Sequence, residues 1–194
     1  NTYLALDGFE VGTPTVTRQD LGIASDAIVF LNFQNSFKLN PAIMRLQLQI
    51  IKGVPNSVLL VKQRKGNKDD LKDYLEAIAL EVGIDPGRIV LMDSCPTVFD
   101  HRANLSLADV TLDTYPYNGA TTTLESLWAE IPVVTKVGQQ FSARNSYGFM
   151  INAGITEGIA WNDEEYVEWG IKLGTDENLR KEVSWKLRQG KKTA

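Results

Sequence analysis

Leu112-Asp113-Thr114-Tyr115-Pro116-Tyr117-Asn118-Gly119-Ala120-Thr121-Thr122-Thr123-Leu124-Glu125-Ser126-Leu127-Trp128-Ala129-Glu130-Ile131-Pro132-Val133-Val134-Thr135 is the stretch that decides the fold. It reads as a strand, a glycine turn, a helix opened by three threonines and running to Glu130, and a second strand at Pro132-Val133-Val134. The same alternation runs outward in both directions. Upstream, Ile28-Val29-Phe30-Leu31 and Ser57-Val58-Leu59-Leu60-Val61 are short, continuous apolar runs rich in β-formers, as is Ile89-Val90-Leu91-Met92. Between them, Asn40-Pro41 is a helix start, with Asn as N-cap and Pro in the first turn, and Gly53-Val54-Pro55 ends that helix. Leu71, Tyr74, Leu75, Ile78, Ala79 and Val82 fall at helical spacing, and Gly83 closes them. Downstream, Ser142 to Asn152 reads as a helix and Ile159-Ala160-Trp161 as a last strand. Asp163 is the expected cap of the next helix, and a final helix starts near Thr175. Strands that are apolar throughout, alternating with helices, predict an α/β fold: a doubly wound parallel sheet covered on both faces. Such sheets bind ligands at the carboxyl ends of their strands.

Composition bounds the function. The chain has 194 residues, enough for one domain with a core of its own. With 43% hydrophobic and 23% charged residues, disordered and fibrous classes are excluded. Twenty Lys+Arg against 24 Asp+Glu leave a net charge of -4, which argues against nucleic acid or a membrane surface as partner. No apolar stretch approaches the roughly 18 residues of a membrane span. One cysteine, Cys95, and one histidine, His101, rule out an internal disulfide and make a metal cluster a poor expectation, so no metal site is assigned. The expected compartment is reduced and cytoplasmic. The chain starts at Asn1 without Met or a signal peptide, which reads as a piece of something longer. Residues 1–26 are polar and irregular and read as a linker or wrap-around segment, with the sheet domain over 27–194.

The loops after the strands carry the chemistry. Asn32 to Pro41 puts amides, a hydroxyl and Lys38 beside a helix N-terminus, which suits an anion but equally suits a polar turn. In the deciding stretch, helix-opening N–H groups and threonine hydroxyls can hold phosphate, and Glu125 can accept from a ribose diol. The same residues suit a threonine N-cap with Glu125 as capping-box partner. No GxGxxG follows the first strand and there is no GxxxxGK[ST]. Cys95 reads as a small buried hydrophobe, and Trp128, Trp161, Trp169 and Trp185 as packing residues. The run Lys181 to Lys192 reads as a solvated helix face.

Residues Asn118 to Thr135 resemble the donor-binding signature of the O-GlcNAc transferase and SPINDLY family. Further matches follow in order: Asn35-Ser36-Phe37-Lys38-Leu39-Asn40-Pro41, Val54-Pro55-Asn56-Ser57-Val58-Leu59, Leu107-Ala108-Asp109-Val110, and Lys172-Leu173-Gly174-Thr175-Asp176. The resemblance covers roughly residues 20–190 and implies the Rossmann-like C-terminal lobe of a GT-B glycosyltransferase. It implies inverting, metal-independent transfer of a sugar to a protein side chain, without a cofactor beyond the nucleotide-sugar substrate. Parents in this family usually carry tetratricopeptide repeats and an acceptor-facing lobe. It further implies that Lys38 holds the diphosphate and stabilises the leaving group, with Asn35 near the sugar. Thr121, Thr122 and Thr123 lie on the phosphate side, behind Asn118 and Gly119. Glu125 is implied on the ribose, His101 beside the nucleoside, and backbone at Met92 to Ser94 against the base. Animal members have His where this chain has Ala120, and a second donor lysine where residues 93–100 carry no Lys or Arg. Both UDP-GlcNAc and GDP-fucose therefore stay open as donors. A non-catalytic nucleotide-sugar module, or the donor lobe of another GT-B enzyme, are the alternatives.

Overall fold

The computed structural model describes residues 4, 6–63 and 68–191. Six parallel strands form the sheet, in the order β3-β2-β1-β4-β5-β6. They are β1 (Ile28–Asn32), β2 (Ser57–Gln63), β3 (Ile89–Asp93), β4 (Val110–Leu112), β5 (Val133–Lys136) and β6 (Ile159–Ala160). The helices are α1 (Pro41–Gly53), α2 (Lys68–Val82), α3 (Val98–Asn104), α4 (Thr121–Trp128), α5 (Asn145–Asn152), α6 (Asp163–Thr175) and α7 (Glu177–Lys191). The doubly wound α/β sheet read from the apolar runs is the one observed.

Both faces of the sheet are covered, which is why its strands lack polar alternation. Phe30, Leu59, Val61, Val110 and Val133 belong to one core cluster, together with residues of α1, α2, α6 and α7. Val29, Leu31, Leu60 and Met92 belong to a second, with Leu105, Leu107 and Ile23. Ile23 lies in the irregular N-terminal segment, so that segment contributes to the core. It is also tied down by hydrogen bonds from Thr15 N to Asn104 (2.8 Å) and from the Arg18 guanidinium to the Leu107 carbonyl (2.8 Å).

Local chemistry sets the element ends. Asn40 caps α1 by accepting from the Ile43 N–H at 3.1 Å, with Pro41 first in the helix, as the sequence predicts. Sequence and structure differ at several element ends. The α6 cap is Asn162, whose side chain accepts from Glu165 N at 2.8 Å, and Asp163 is the first helical residue. The helix expected over Ser142 to Asn152 is a short 3-10 turn, Phe141–Ala143, followed by α5 from Asn145. The short helix α3 was not foreseen; Thr97 caps it by accepting from Asp100 N.

Helix α4 ends at Trp128, two residues before the expected Glu130, and Glu130 there takes a left-handed φ of 64°. Gly158 has φ 93°, and a Cβ there would lie 2.1 Å from the Val133 carbonyl oxygen. That carbonyl belongs to the strand β6 pairs with. Gly158→Ala should therefore lower the urea unfolding free energy by roughly 2 kcal/mol or more, through φ strain and steric displacement of β5 from β6.

Candidate functional site

The strand order reverses between β1 and β4. The chain leaves β1 toward β2 and leaves β4 toward β5, which makes the carboxyl ends of β1 and β4 the switch point, where open α/β sheets hold ligands in a crevice. Loop 33–40 forms one wall and loop 113–120 the other. Two side chains bridge them: Asn40 donates to the Tyr115 carbonyl at 2.7 Å, and Lys38 donates to the Asn118 carbonyl at 3.0 Å.

Lys38 is half-buried. Its Nζ also donates to Gln34 Oε1 at 2.9 Å and lies 4.2 Å from the centre of the Tyr117 ring. All these partners are neutral. Among the described residues no carboxylate stands within ion-pair distance of it. Burial pushes its pKa down and the field of Asp113 pulls it back up, leaving it below the ordinary lysine range. A fixed ammonium without a counter-ion, at a switch point, is a preformed place for an anion.

The facing wall is shaped by Asp113, which is 1% exposed. Its Oδ1 accepts from Gly119 N (2.7 Å) and Thr114 N (2.8 Å), and its Oδ2 from Thr135 Oγ1 (2.7 Å). Burial pushes its pKa up, and hydrogen bonds from Ser146, Gly119, Thr135 and Thr114 offset only part of the rise. Beneath it, Tyr166 donates to the Asp113 carbonyl at 2.7 Å. Gln47 links the same carbonyl to Tyr166 and accepts from Asn32 at 2.8 Å. The turn above is tight: a Cβ on Gly119 would sit 2.4 Å from Thr123 Oγ1 and 2.5 Å from Gln34 Nε2.

The other sequence-predicted residues fall into three groups. Asn118, Gly119, Thr121, Thr122 and Thr123 join Lys38 at the crevice. Thr121 is exposed and Thr122 half-buried, whereas Thr123 is buried against Ser146 at 2.8 Å. The Asn118 amide nitrogen is bonded to the Thr114 carbonyl at 2.7 Å, while its Oδ1 is buried without a partner. The N-cap position of α4 holds Ala120 and makes no side-chain bond, so the threonine cap and capping box are not formed. Asn35 is exposed at the rim, before the 3-10 turn Ser36–Lys38.

His101 and Glu125 form the second group. Glu125 is 3% exposed; its carboxylate receives Arg102 Nε at 2.9 Å and pairs with His101 Nε2 at 3.3 Å. Burial alone raises its pKa, but the His101 and Arg102 bonds outweigh this and hold it below the ordinary glutamate value. Both its oxygens are thus engaged, and its visible role is to clamp α3 against α4. His101 Nδ1 is buried without a partner. Met92 and Ser94 form the third group. The Met92 side chain is core, and the Ser94 N–H is bonded to the Gln63 carbonyl at 2.8 Å, continuing the β2–β3 ladder. Sequence reasoning assigned no role to Gln34, Asp113 or Arg102. Arg102 is signalled only by its place next to His101.

Comparison with known proteins follows this geometry. Residues 7–194 match the sequence profile of glycosyl transferase family 41. The chain belongs to this family. A tomato (Solanum lycopersicum) protein named "Probable UDP-N-acetylglucosamine--peptide N-acetylglucosaminyltransferase SPINDLY" is 30% identical over 167 residues, 86% of this chain and 18% of that protein. The Caenorhabditis elegans UDP-N-acetylglucosamine–peptide N-acetylglucosaminyltransferase is 32% identical over 177 residues, 89% of this chain and 15% of its own length. The family 41 chain thus spans under a fifth of these relatives. The solved structure of a Thermobaculum terrenum O-GlcNAc transferase mutant superposes with a TM-score of 0.80 at 28% identity. It matches over 90% of this chain and 34% of that one, in keeping with a GT-B lobe.

At neutral pH, Glu125→Gln should cost about 1–3 kcal/mol of stability, because it removes a buried charged acceptor from two half-buried donors. The sign is fixed by a depressed folded pKa: the contribution is complete above the ordinary glutamate value and lost as pH falls through the lower folded one. Melting curves across that range should show variant and wild type converging in acid.

Proposed function

We propose that the chain is the donor-binding lobe of an inverting protein O-glycosyltransferase, moving GlcNAc or fucose from a nucleotide to a serine or threonine hydroxyl. Lys38 is the observation that carries the reading. In such a transfer the acceptor oxygen attacks the anomeric carbon, the bond to the diphosphate oxygen breaks, and negative charge grows on the leaving nucleotide. An ammonium already fixed by Gln34, the Asn118 carbonyl and Tyr117 meets that charge without reorganising. The opening turn of α4, with Thr121 and Thr122 facing outward, supplies N–H and hydroxyl donors for the same phosphates. The Glu125–His101–Arg102 clamp stands one helical turn further on, where the nucleoside would follow. The names of the tomato and Caenorhabditis elegans relatives, which specify transfer from a UDP-sugar to peptide, support the same reading. The acceptor is held elsewhere, by parts of the protein this chain does not include. Half of a cleft positions no acceptor hydroxyl, so this chain alone transfers no sugar.

Calorimetric titration with UDP, GDP, UDP-GlcNAc and GDP-fucose tests the reading and names the donor. One base should be preferred, and Lys38→Met should weaken the preferred nucleotide by about tenfold or more, the size of a lost charged hydrogen bond. Binding of none of the four, or full affinity in Lys38→Met, would overturn the assignment.

A further inference from the structure

A second cation lies on the nucleoside side of the crevice. Lys62 sits near the end of β2, directly paired with Met92 of β3. On its other side the register runs Asn32 against Val61, so Phe33 and Lys62 come next in step and share a face. The Lys62 Nζ lies 5.8 Å from the centre of the Phe33 ring, and that ring is 5.6 Å from the ring of His101. Phe33, Lys62 and Met92 thus make a row across the carboxyl edge of the sheet, on the His101 side.

This ammonium is poorly matched by the protein itself. It is half-buried, and among the described residues it has neither a carboxylate in contact nor a hydrogen-bond acceptor. The nearest carboxylate in its field, Glu125, is already shared by His101 and Arg102. Burial consequently holds the Lys62 pKa below the ordinary range, with Glu125 and Cys95 only partly restoring it. The neighbouring loop does not supply the missing donors. Residues 93–100 hold no Lys or Arg, and the Ser94 N–H is bonded to Gln63. A half-buried ammonium without a polar partner among the described residues, across the Phe33 ring from a His101 whose Nδ1 is buried and unpaired, marks a place completed by something else.

Building on the donor-lobe reading, we propose that Lys62 is a donor-recognition residue that hydrogen-bonds a hydroxyl or keto oxygen of the nucleoside half of the nucleotide. Lys38 and the start of α4 hold the diphosphate at the β1–β4 switch point. Lys62 stands one strand further out, over β2, where the ribose and base extend. Division of labour follows: Lys38 reads phosphate, and Lys62 reads the nucleoside.

The test compares wild type, Lys62→Met and Lys38→Met for binding of UDP, GDP and inorganic pyrophosphate by calorimetry, with melting temperature as a check on folding. For Lys62→Met the preferred nucleotide should bind about tenfold more weakly while pyrophosphate affinity stays unchanged. Lys38→Met should weaken both. Unchanged nucleotide affinity in Lys62→Met overturns the inference, and so does an equal loss for nucleotide and pyrophosphate, which would make Lys62 a second phosphate ligand. Wild type that binds neither nucleotide overturns the donor reading itself, and this inference with it. Wild type that binds while Lys62→Met is unchanged removes this inference alone.

Discussion

The buried carboxylate of Asp113 is the constraint on which the crevice depends. It stands at the end of β4, where the chain must turn sharply and return into α4. A carboxyl group there is tolerable only if fixed donors converge on it, and they do: the Ser146 hydroxyl of α5, two backbone N–H groups of the turn and a hydroxyl from β5. Those bonds dictate where Gly119 lies, and hence where the Asn118 carbonyl points. Lys38 meets that carbonyl from the other wall. The absence of a Cβ at Gly119 lets Gln34 and Thr123 close in on the turn. The wall that faces Lys38 is thus a property of one side chain's hydration problem, solved by backbone and hydroxyl donors.

Much of this was legible in the sequence. Apolar runs without alternation could belong only to strands covered on both faces, and Asn40-Pro41 marked the start of α1 on capping chemistry alone. Lys38 and Gly119 lie in loops at strand ends and the threonines open the helix that follows; their residue types suited an anion and a plain turn or cap equally, and the family resemblance is what singled them out, with Asn118, as site residues. The short helix α3 escaped because its seven residues give too little periodicity to detect. The Glu125 clamp escaped for a different reason. Glu125 is as good a capping-box residue as it is an ion-pair partner, and the choice is made by Arg102, 23 positions away in sequence. Asp113 was visible as an acidic residue in a loop, but its burial is a tertiary fact. Where sequence reasoning stopped, the deciding partner was on another strand or helix.

The chain's overall charge gives no hint of its local field. With a net charge of -4 it is mildly acidic, yet Lys38 and Lys62 stand at the carboxyl end of the sheet with no carboxylate in contact among the described residues. The carboxylates at that end, Asp113 and Glu125, are taken up by other donors, while further acidic residues lie in helix first turns such as Asp163-Glu164-Glu165 and in outer pairs such as Glu130 with Arg188 and Lys191. Steering of an anionic ligand depends on that distribution and not on the sum.

The irregular N-terminal segment gives the clamp between α3 and α4 an unexpected mechanical neighbour. Phe9 accepts a hydrogen bond from Trp128 Nε1 at 2.7 Å through its carbonyl, while its ring lies 4.3 Å from the Arg102 guanidinium. Arg102 in turn grips Glu125. A single side chain therefore touches both the strap that leads into the sheet and the clamp between α3 and α4. Force or disorder arriving along that strap is delivered to the clamp before it reaches any strand. By thermodynamic reciprocity, whatever steadies the clamp also steadies the strap, so the two ends of this contact report on each other's occupancy.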